Sequence, residues 1–327
     1  MHHPRLRSFG LMVALVSLLG GGFVPVLAQD ASPASGGSHP FADLALPEIA
    51  VTITETAFEG VPAELAAGRY VLTVTNALEA GAGPLGPASS GVNFLRLTEE
   101  LTAEAFEAFI ALVAAPDATP QAADVAATPT AADEGALAPP PWLYEVALPG
   151  GPYALPGETA SAVIDLTVGE WVLWGEFPGA PRAPVPVTVT GDAPADVPAV
   201  NADVQIKMVE YAFVVPTPLS AGSQVIEIAN VGQEPHFFTM ARVPEGTSAD
   251  DALAAVIARY GGPAAAGGLR AEDLTIAFVH GTQSAGVTAW YAADLTPGAY
   301  VAFCFVPDYV NGIPHVMLGM TQIVEVE

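Results

Sequence analysis

Two stretches of the chain repeat one pattern of apolar and polar positions. Residues 53–76, ITETAFEGVPAELAAGRYVLTVTN, match residues 206–230, IKMVEYAFVVPTPLSAGSQVIEIAN. Each copy carries Glu-x-Ala-Phe, then Leu-x-Ala-Gly, then an alternating run that ends at Asn76 or Asn230. Runs of period two, such as Tyr70–Thr75 and Val225–Ile228, predict strands with one buried face. A second pair of blocks, 159–177 and 286–306, shares Asp-Leu-Thr-x-Gly, which sets Asp165 over Asp294 and Gly175 over Cys304. Between the blocks the period changes to that of a helix. In the second copy Ser248 and Asp251 form a capping-box pattern, and Leu253, Val256, Ile257 and Tyr260 share the predicted apolar face. In the first, Phe106, Phe109, Ile110 and Val113 repeat the spacing after Thr102.

Several short strands and one helix per copy predict an all-β chain of two Greek-key β-sandwiches in tandem, each with one inserted helix. The copies are expected over residues 43–190 and 204–327. Residues 115–141, rich in Ala, Pro, Asp and Thr, read as a disordered loop, and 191–203 as a linker. The opening residues follow another logic. Arg5 and Arg7, the apolar run from Phe9 through Leu19 and the small residues up to Ala28 predict a secretory signal peptide over 1–28, with a flexible leader over 29–42. That implies a secreted or periplasmic location. An uncleaved N-terminal anchor is the alternative, since 9–28 approaches spanning length; no other segment does.

Charge narrows the partners. Nine basic residues face 35 acidic ones, a net charge of −26, and cleavage after Ala28 would remove two arginines and no acid. Such a chain is ill suited to nucleic acid or anionic membrane surfaces. The excess serves solubility outside the cell, or steers the protein toward a partner with a basic docking surface.

The chain has one cysteine, Cys304. A lone thiol in an oxidising compartment is a liability unless something occupies it. A buried small apolar residue and a histidine-activated nucleophile are the other readings, and Phe303 and Phe305 argue against the second. Downstream stand His315 and Met320; upstream, in NVGQEPHFFTM, stands His236. Two imidazoles, a thiolate and a distant thioether form the soft donor set of electron-transfer copper, whereas zinc rarely takes a thioether. Alternation in GAYVAFCFV sets Tyr300, Ala302 and Cys304 on one face. Met317 competes with Met320 for the distant position. His280 and His39 have no such neighbours and are expected at the surface.

The stretch CFVPDYVNGIPHVMLGM resembles the ligand loop of the cupredoxins, the blue copper proteins, and especially that of the first copper domain of copper nitrite reductases, which likewise ends in His-Val-x-x-Gly-Met. The resemblance covers roughly residues 203–327. It implies a cupredoxin-like sandwich holding one type 1 copper per chain on His236, Cys304, His315 and Met320, an electron exit at His315, and a redox partner protein. Copper oxidases and nitrite reductases of that family flank the cysteine with histidine; Phe303 and Phe305 here imply a carrier rather than an enzyme. A copper delivery or storage protein, or a metal-free binding module, is the rival function. Phe237 replaces the asparagine common after the first ligand, which implies fewer hydrogen bonds to the sulfur. The first copy offers Asn93 in alignment with His236 and Gly175 with Cys304, so it is expected to lack metal, with Trp171 and Trp174 filling the space.

Overall fold

Alternation in the sequence becomes burial in the fold. The computed structural model describes residues 39–79, 82–83, 86–87, 90–114, 140–176, 182–259 and 268–327. The predicted signal peptide and most of the leader lie outside these, as does the predicted loop up to residue 139. The first half runs through β1 (Glu48–Ile53), β2 (Phe58–Glu59), β3 (Glu64–Ala66), β4 (Gly68–Asn76), β5 (Ser90–Arg96) and α1 (Ala103–Ala114). It continues with β6 (Tyr153–Ala154), β7 (Thr159–Leu166), β8 (Gly169–Gly175) and β9 (Val185–Thr190). The second half follows the same plan with β10 (Val204–Val209), β11 (Ala212–Val214), β12 (Gly222–Asn230), β13 (Thr239–Val243) and α2 (Ala249–Arg259). It ends with β14 (Thr275–Val279), β15 (Thr288–Leu295), β16 (Gly298–Phe303) and β17 (Thr321–Val326). The expected all-β class holds.

Each half stacks two sheets on a core of the alternating residues, among them Leu72, Val74 and Leu173 in the first and Ile226, Ile228 and Val301 in the second. One sheet is shared. Its eight strands run β11-β10-β12-β15-β7-β4-β1-β2, so the halves meet where β7 pairs antiparallel with β15, Ala162 opposite Tyr291 and Val163 opposite Trp290. The facing sheets are β3-β9-β8-β5-β6 and β14-β13-β16-β17. Asn76 and Asn230 play one part twice. Each is buried at the end of its strand and donates through Nδ2 to a carbonyl of the returning chain, Ala154 or Gln283. The repeated glycine after Asp-Leu-Thr also has a physical reason. At Gly169 (φ +150) a Cβ would lie 2.6 Å from Arg96 Nε, and at Gly298 (φ +146) 2.9 Å from Arg242 Nη2.

Three details depart from the sequence reading. The end of the predicted leader is packed, because Phe41, with Leu44, Leu46, Val200 and Ala202, covers the apolar outer face of the shared sheet formed by Val71, Val163, Val225 and Trp290. The predicted linker therefore lends two side chains to the same cover. In α2, Ser248 caps the helix through Asp251 as expected, but the buried face is Ala252, Ala255 and Val256, with Leu253 and Ile257 half-buried. Small alanines let the helix sit closer to the sandwich than a leucine face would; Tyr260 lies outside the described residues.

Strand register also corrects the alignment of the copies. Thr239 faces Phe303 and Asn93 faces Trp174, so Asn93 is the counterpart of Thr239, and Ser90, which pairs with Ala154 as His236 pairs with Gln283, is the counterpart of His236. The tryptophans do not fill the missing site. Trp174 turns outward against Phe106 of α1 and Trp171 packs on Phe94, while Phe58 meets Gly175, its ring 3.1 Å from where a Cβ would be.

The seam between the halves buries a carboxyl group. Glu176 accepts hydrogen bonds from the Thr282 backbone N–H (2.9 Å to each oxygen) and from Asn93 Nδ2 (2.9 Å). Burial raises its carboxyl to about 7, against the pull of those donors. Its buried neighbours Tyr291 and His280 are held neutral by desolvation, which pushes the pKa of the Tyr291 hydroxyl well above its usual value and that of the His280 imidazole down to about 3. A folded-state carboxyl above its unfolded value binds more protons than the unfolded chain does, so its contribution is complete below pH 4.5 and is lost as pH rises through 7. Relative to Glu176→Gln, the protein should therefore lose of order 3 kcal/mol of stability between pH 4.5 and about 8, and nothing more above it. Urea unfolding of both forms across that range checks this.

Candidate metal centre

Three elements bring the donor residues together. His236 precedes β13 and is held by a two-way backbone pair with Gln283, its N–H donating at 3.0 Å and its carbonyl accepting at 2.8 Å. Cys304 follows β16, whose residues from Ala299 onward are buried on both faces, so the side shared by Tyr300, Ala302 and Cys304 is covered and so is the other. The chain then forms a tight loop. Asp308 caps the turn by accepting the N–H groups of Val310 and Asn311, and Pro307 bridges back to Pro314. His315 opens a single 3-10 turn (His315–Leu318) that ends at Gly319, whose φ of +107° suits glycine and turns the chain back.

The main chain ties these residues to one another. Val316 N–H donates to the Cys304 carbonyl (2.8 Å), Met320 N–H to the His315 carbonyl (2.9 Å), and Cys304 N–H to the Met320 carbonyl (3.3 Å). The loop therefore fixes its donors before any ion arrives. His236, Cys304 and His315 are all buried, and their donor atoms lie within 4.8 Å of one another, which makes them the one such group among the described residues. Nδ1 of His236 stands 3.0 Å from Nδ1 of His315, and Cys304 Sγ 3.8 Å from the latter. Met320 is buried beside them in the backbone network, whereas Met317 is 52% exposed.

The arrangement fits a metal ion. Two nitrogens about 2.0 Å and a sulfur about 2.3 Å from one ion stand roughly 3–3.5 Å and 3.3–3.8 Å apart in a trigonal arrangement, which matches the separations above. The proton positions agree. His315 Nε2 faces Glu234 at 3.0 Å, and a carboxylate there requires Nε2–H, which leaves Nδ1 bare. Nε2 of His236 is buried without a hydrogen-bond partner, with Glu210 3.9 Å away. The 3.0 Å separation of the two Nδ1 atoms is that of an N–H···N hydrogen bond, with His236 donating from Nδ1 to the bare Nδ1 of His315; an ion bound between them would displace that proton. Burial, with His315 beside it, lowers the His236 imidazole to about 3, and burial lowers that of His315 to about 4, so both are neutral ligands at neutral pH.

Burial also pushes the Cys304 thiol up to about 12, against backbone N–H groups of Phe237 and Val306 directed at the sulfur. Those two donors stabilise a thiolate, so the loss of an asparagine at 237 leaves the sulfur with hydrogen bonds from the main chain. A cation supplies the rest of what a buried thiolate needs. Phe237, Phe238, Phe303, Phe305 and Val306 are buried around the site, while Tyr309, Val310 and Ile313 of the same loop face solvent.

One expectation is overturned. His280 is not a surface residue: it is fully buried, its Nε2 accepting the Phe238 N–H (3.0 Å) and its Nδ1 facing the Gly281 carbonyl (2.6 Å). It thus supports the backbone two residues beyond His236, stacked beside Tyr291. His315 is buried as well, within the loop that exposes Tyr309, Val310 and Ile313. It lies beneath Glu234 and Tyr211, whose ring centroid is 5.2 Å from its own. His39 is half-buried by Phe41 and takes no part. Sequence reasoning also missed Glu234, Glu210 and Gln283. Glu234 stands two residues before His236, but only the turn capped by Glu210, which accepts the N–H groups of Gln233 and Glu234, carries it over to His315. Gly232 leaves room for that approach, since a Cβ there would lie 2.5 Å from Glu210 Oε1 and 3.1 Å from His236 Nε2.

No protein-family model matches the chain, and no curated protein matches it. Solved structures are similar to parts of it. Dithionite-reduced auracyanin from the photosynthetic bacterium Roseiflexus castenholzii is 19% identical, over 38% of this chain and 94% of its own, with a TM-score of 0.25. Auracyanin A, a "blue" copper protein of Chloroflexus aurantiacus, is 19% identical, over 38% and 98%, with a TM-score of 0.24. A multicopper oxidase is 12% identical, over 86% and 88%, with a TM-score of 0.21. At these scores the likeness decides no chemistry. The donor set is of a kind that could hold a soft metal ion.

The two methionines should separate cleanly in the metal-free protein. Met320→Ala is expected to cost about 2–5 kcal/mol as a core truncation, and Met317→Ala less than about 0.5 kcal/mol, measured by denaturant unfolding. Cys304, wholly buried, should resist a thiol reagent in the native protein and react at once in denaturant.

Proposed function

We propose that the chain is an extracytoplasmic type 1 copper protein that carries single electrons between redox partners. The observation that carries this reading is the convergence of two imidazole Nδ1 atoms and one thiol sulfur in a buried pocket, with Met320 buried beside them. In it, His236, Cys304 and His315 hold the ion and Met320 stands as the weak fourth donor. Copper bound there supplies one-electron exchange between its two oxidation states. The residues of the chain keep that exchange cheap in reorganisation. Aromatic side chains exclude water, and the backbone bonds joining Cys304, His315 and Met320 resist movement of the donors.

Phe303 and Phe305, where a coupled second centre would need histidines, support a carrier over an oxidase or reductase. Burial of all three donors also favours a carrier over a delivery protein, which must exchange ligands through an open face. A partner would dock on the exposed apolar loop of Tyr309, Val310, Ile313 and Met317. Glu210, Glu234 and Asp308 nearby, together with the net charge of −26, suit a partner with basic groups. Among the described residues no helix is long and apolar enough to cross a membrane; export itself rests on the N-terminal segment.

Titration of the metal-free protein with Cu(II) tests the reading. One equivalent should produce an intense blue colour that ascorbate bleaches and oxidant restores, and Cys304→Ser should abolish it. A colourless product, or copper surrendered at once to a weak chelator, favours delivery or storage. More than one copper per chain with turnover of nitrite or oxygen favours an enzyme.

A further inference from the structure

The two halves of the chain are joined at a point that bears directly on the metal centre. Gln283 holds His236 by the two-way backbone pair described above, and the residue before it, Thr282, is held from the other half. Its N–H donates to both oxygens of Glu176, and its carbonyl accepts from Asn93 Nδ2 at 2.9 Å. Asn93 Nδ2 also donates to Glu176 Oε2, which closes a triangle of three residues. The neighbouring backbone is pinned as well. Gly281 N–H donates to the Gly151 carbonyl at 2.8 Å, and Pro149 bridges to Gln283. Packing leaves no slack, since a Cβ on Gly281 would lie 2.6 Å from Glu176 Oε2 and 3.0 Å from Gly151 N.

A buried carboxyl group costs stability unless its hydrogen bonds are made, and replacing it by an apolar side chain is often the more stable choice. Glu176 directly follows Gly175, the residue standing where the second half has Cys304. A position that has no metal to serve in its own half therefore carries a polar group aimed at the other half.

We propose that Glu176 and Asn93 are positioning residues for the metal centre, which grip Thr282 so that Gln283 holds His236 at the correct depth and angle. The first half, lacking ligands of its own, supplies the rigid backing for a ligand in the second. The proposal rests on the reading of His236 as a metal ligand, and its test separates the two claims.

The first measurement needs no metal. Hydrogen exchange of the His236 and Gln283 amides is compared between the metal-free full-length protein, Glu176→Ala and Asn93→Ala. Both variants should speed exchange of these amides tenfold or more relative to amides of β4, a change in line with losing hydrogen bonds to a buried polar group. Leu95→Ala, which opens a cavity under α1 in the same half, should speed exchange of both sets, if of either, by a similar factor. Glu176→Gln keeps an acceptor oxygen for the Thr282 N–H and should restore most of the protection. The second measurement uses the copper-loaded protein, in which Glu176→Ala should keep its copper and colour but release the ion to a chelator at least fivefold faster and shift its visible band, while Leu95→Ala leaves the band in place. Wild-type protection of His236 and Gln283 in both Glu176→Ala and Asn93→Ala would overturn the proposal. Loosened amides in a protein that takes up no copper would uphold the grip and overturn the copper reading.

Discussion

A sulfur and two imidazole nitrogens are drawn together in a space that water does not enter, and most features of the second half follow from that constraint. Apolar surroundings alone keep the thiol protonated and leave the two imidazoles sharing one proton across an Nδ1–Nδ1 contact of 3.0 Å. The fold tolerates the arrangement because the backbone makes it. Cys304, His315 and Met320 are linked by main-chain hydrogen bonds within one loop, and Asp308, Asn311 and Gly319 shape that loop through turns that need no metal. Such a site pays the cost of bringing its donors together when the chain folds rather than when the ion binds.

Around this core lies a ring of carboxylates that gives the histidines their protonation pattern. Glu234 takes the proton side of His315, and burial, with Asp308 and Glu210 near it, raises its own carboxyl above the ordinary range. Glu210 serves the turn that delivers Glu234. Part of the negative charge of the chain thus lies beside a loop that exposes Tyr309, Val310, Ile313 and Met317. In the proposed reading, an apolar contact rimmed by charge of one sign would select a partner by electrostatics and hold it by burial.

Much of this was legible in the sequence, and the reasons differ from element to element. The strands around Tyr70–Thr75 and Val225–Ile228 announced themselves by alternation, and the cap at Ser248 by its spacing to Asp251. The candidate donors stood out because the one cysteine of the chain shares a loop with His315 and Met320, and His236 follows the strand that ends at Asn230. What could not be read depended on register and on contacts between distant segments. Asn93 was matched to His236 by local similarity, whereas the pairing of Ser90 with Ala154 sets the true correspondence three residues earlier. The burial of His280 follows from β14 ending at the seam between the halves, and Glu176 meets Thr282 across 106 residues. Phe41 was assigned to a leader because nothing local reveals that the shared sheet has an uncovered apolar face.

The central claim is that Cys304 and the two histidines grip one copper ion. X-ray absorption at the copper edge of the loaded wild-type protein tests it most directly, because it reads the identity of the atoms bound to the metal. One sulfur and two imidazole nitrogens in the first shell, with the sulfur gone in Cys304→Ser, is the result the structure predicts. A shell of nitrogen and oxygen alone in the wild-type protein would contradict it.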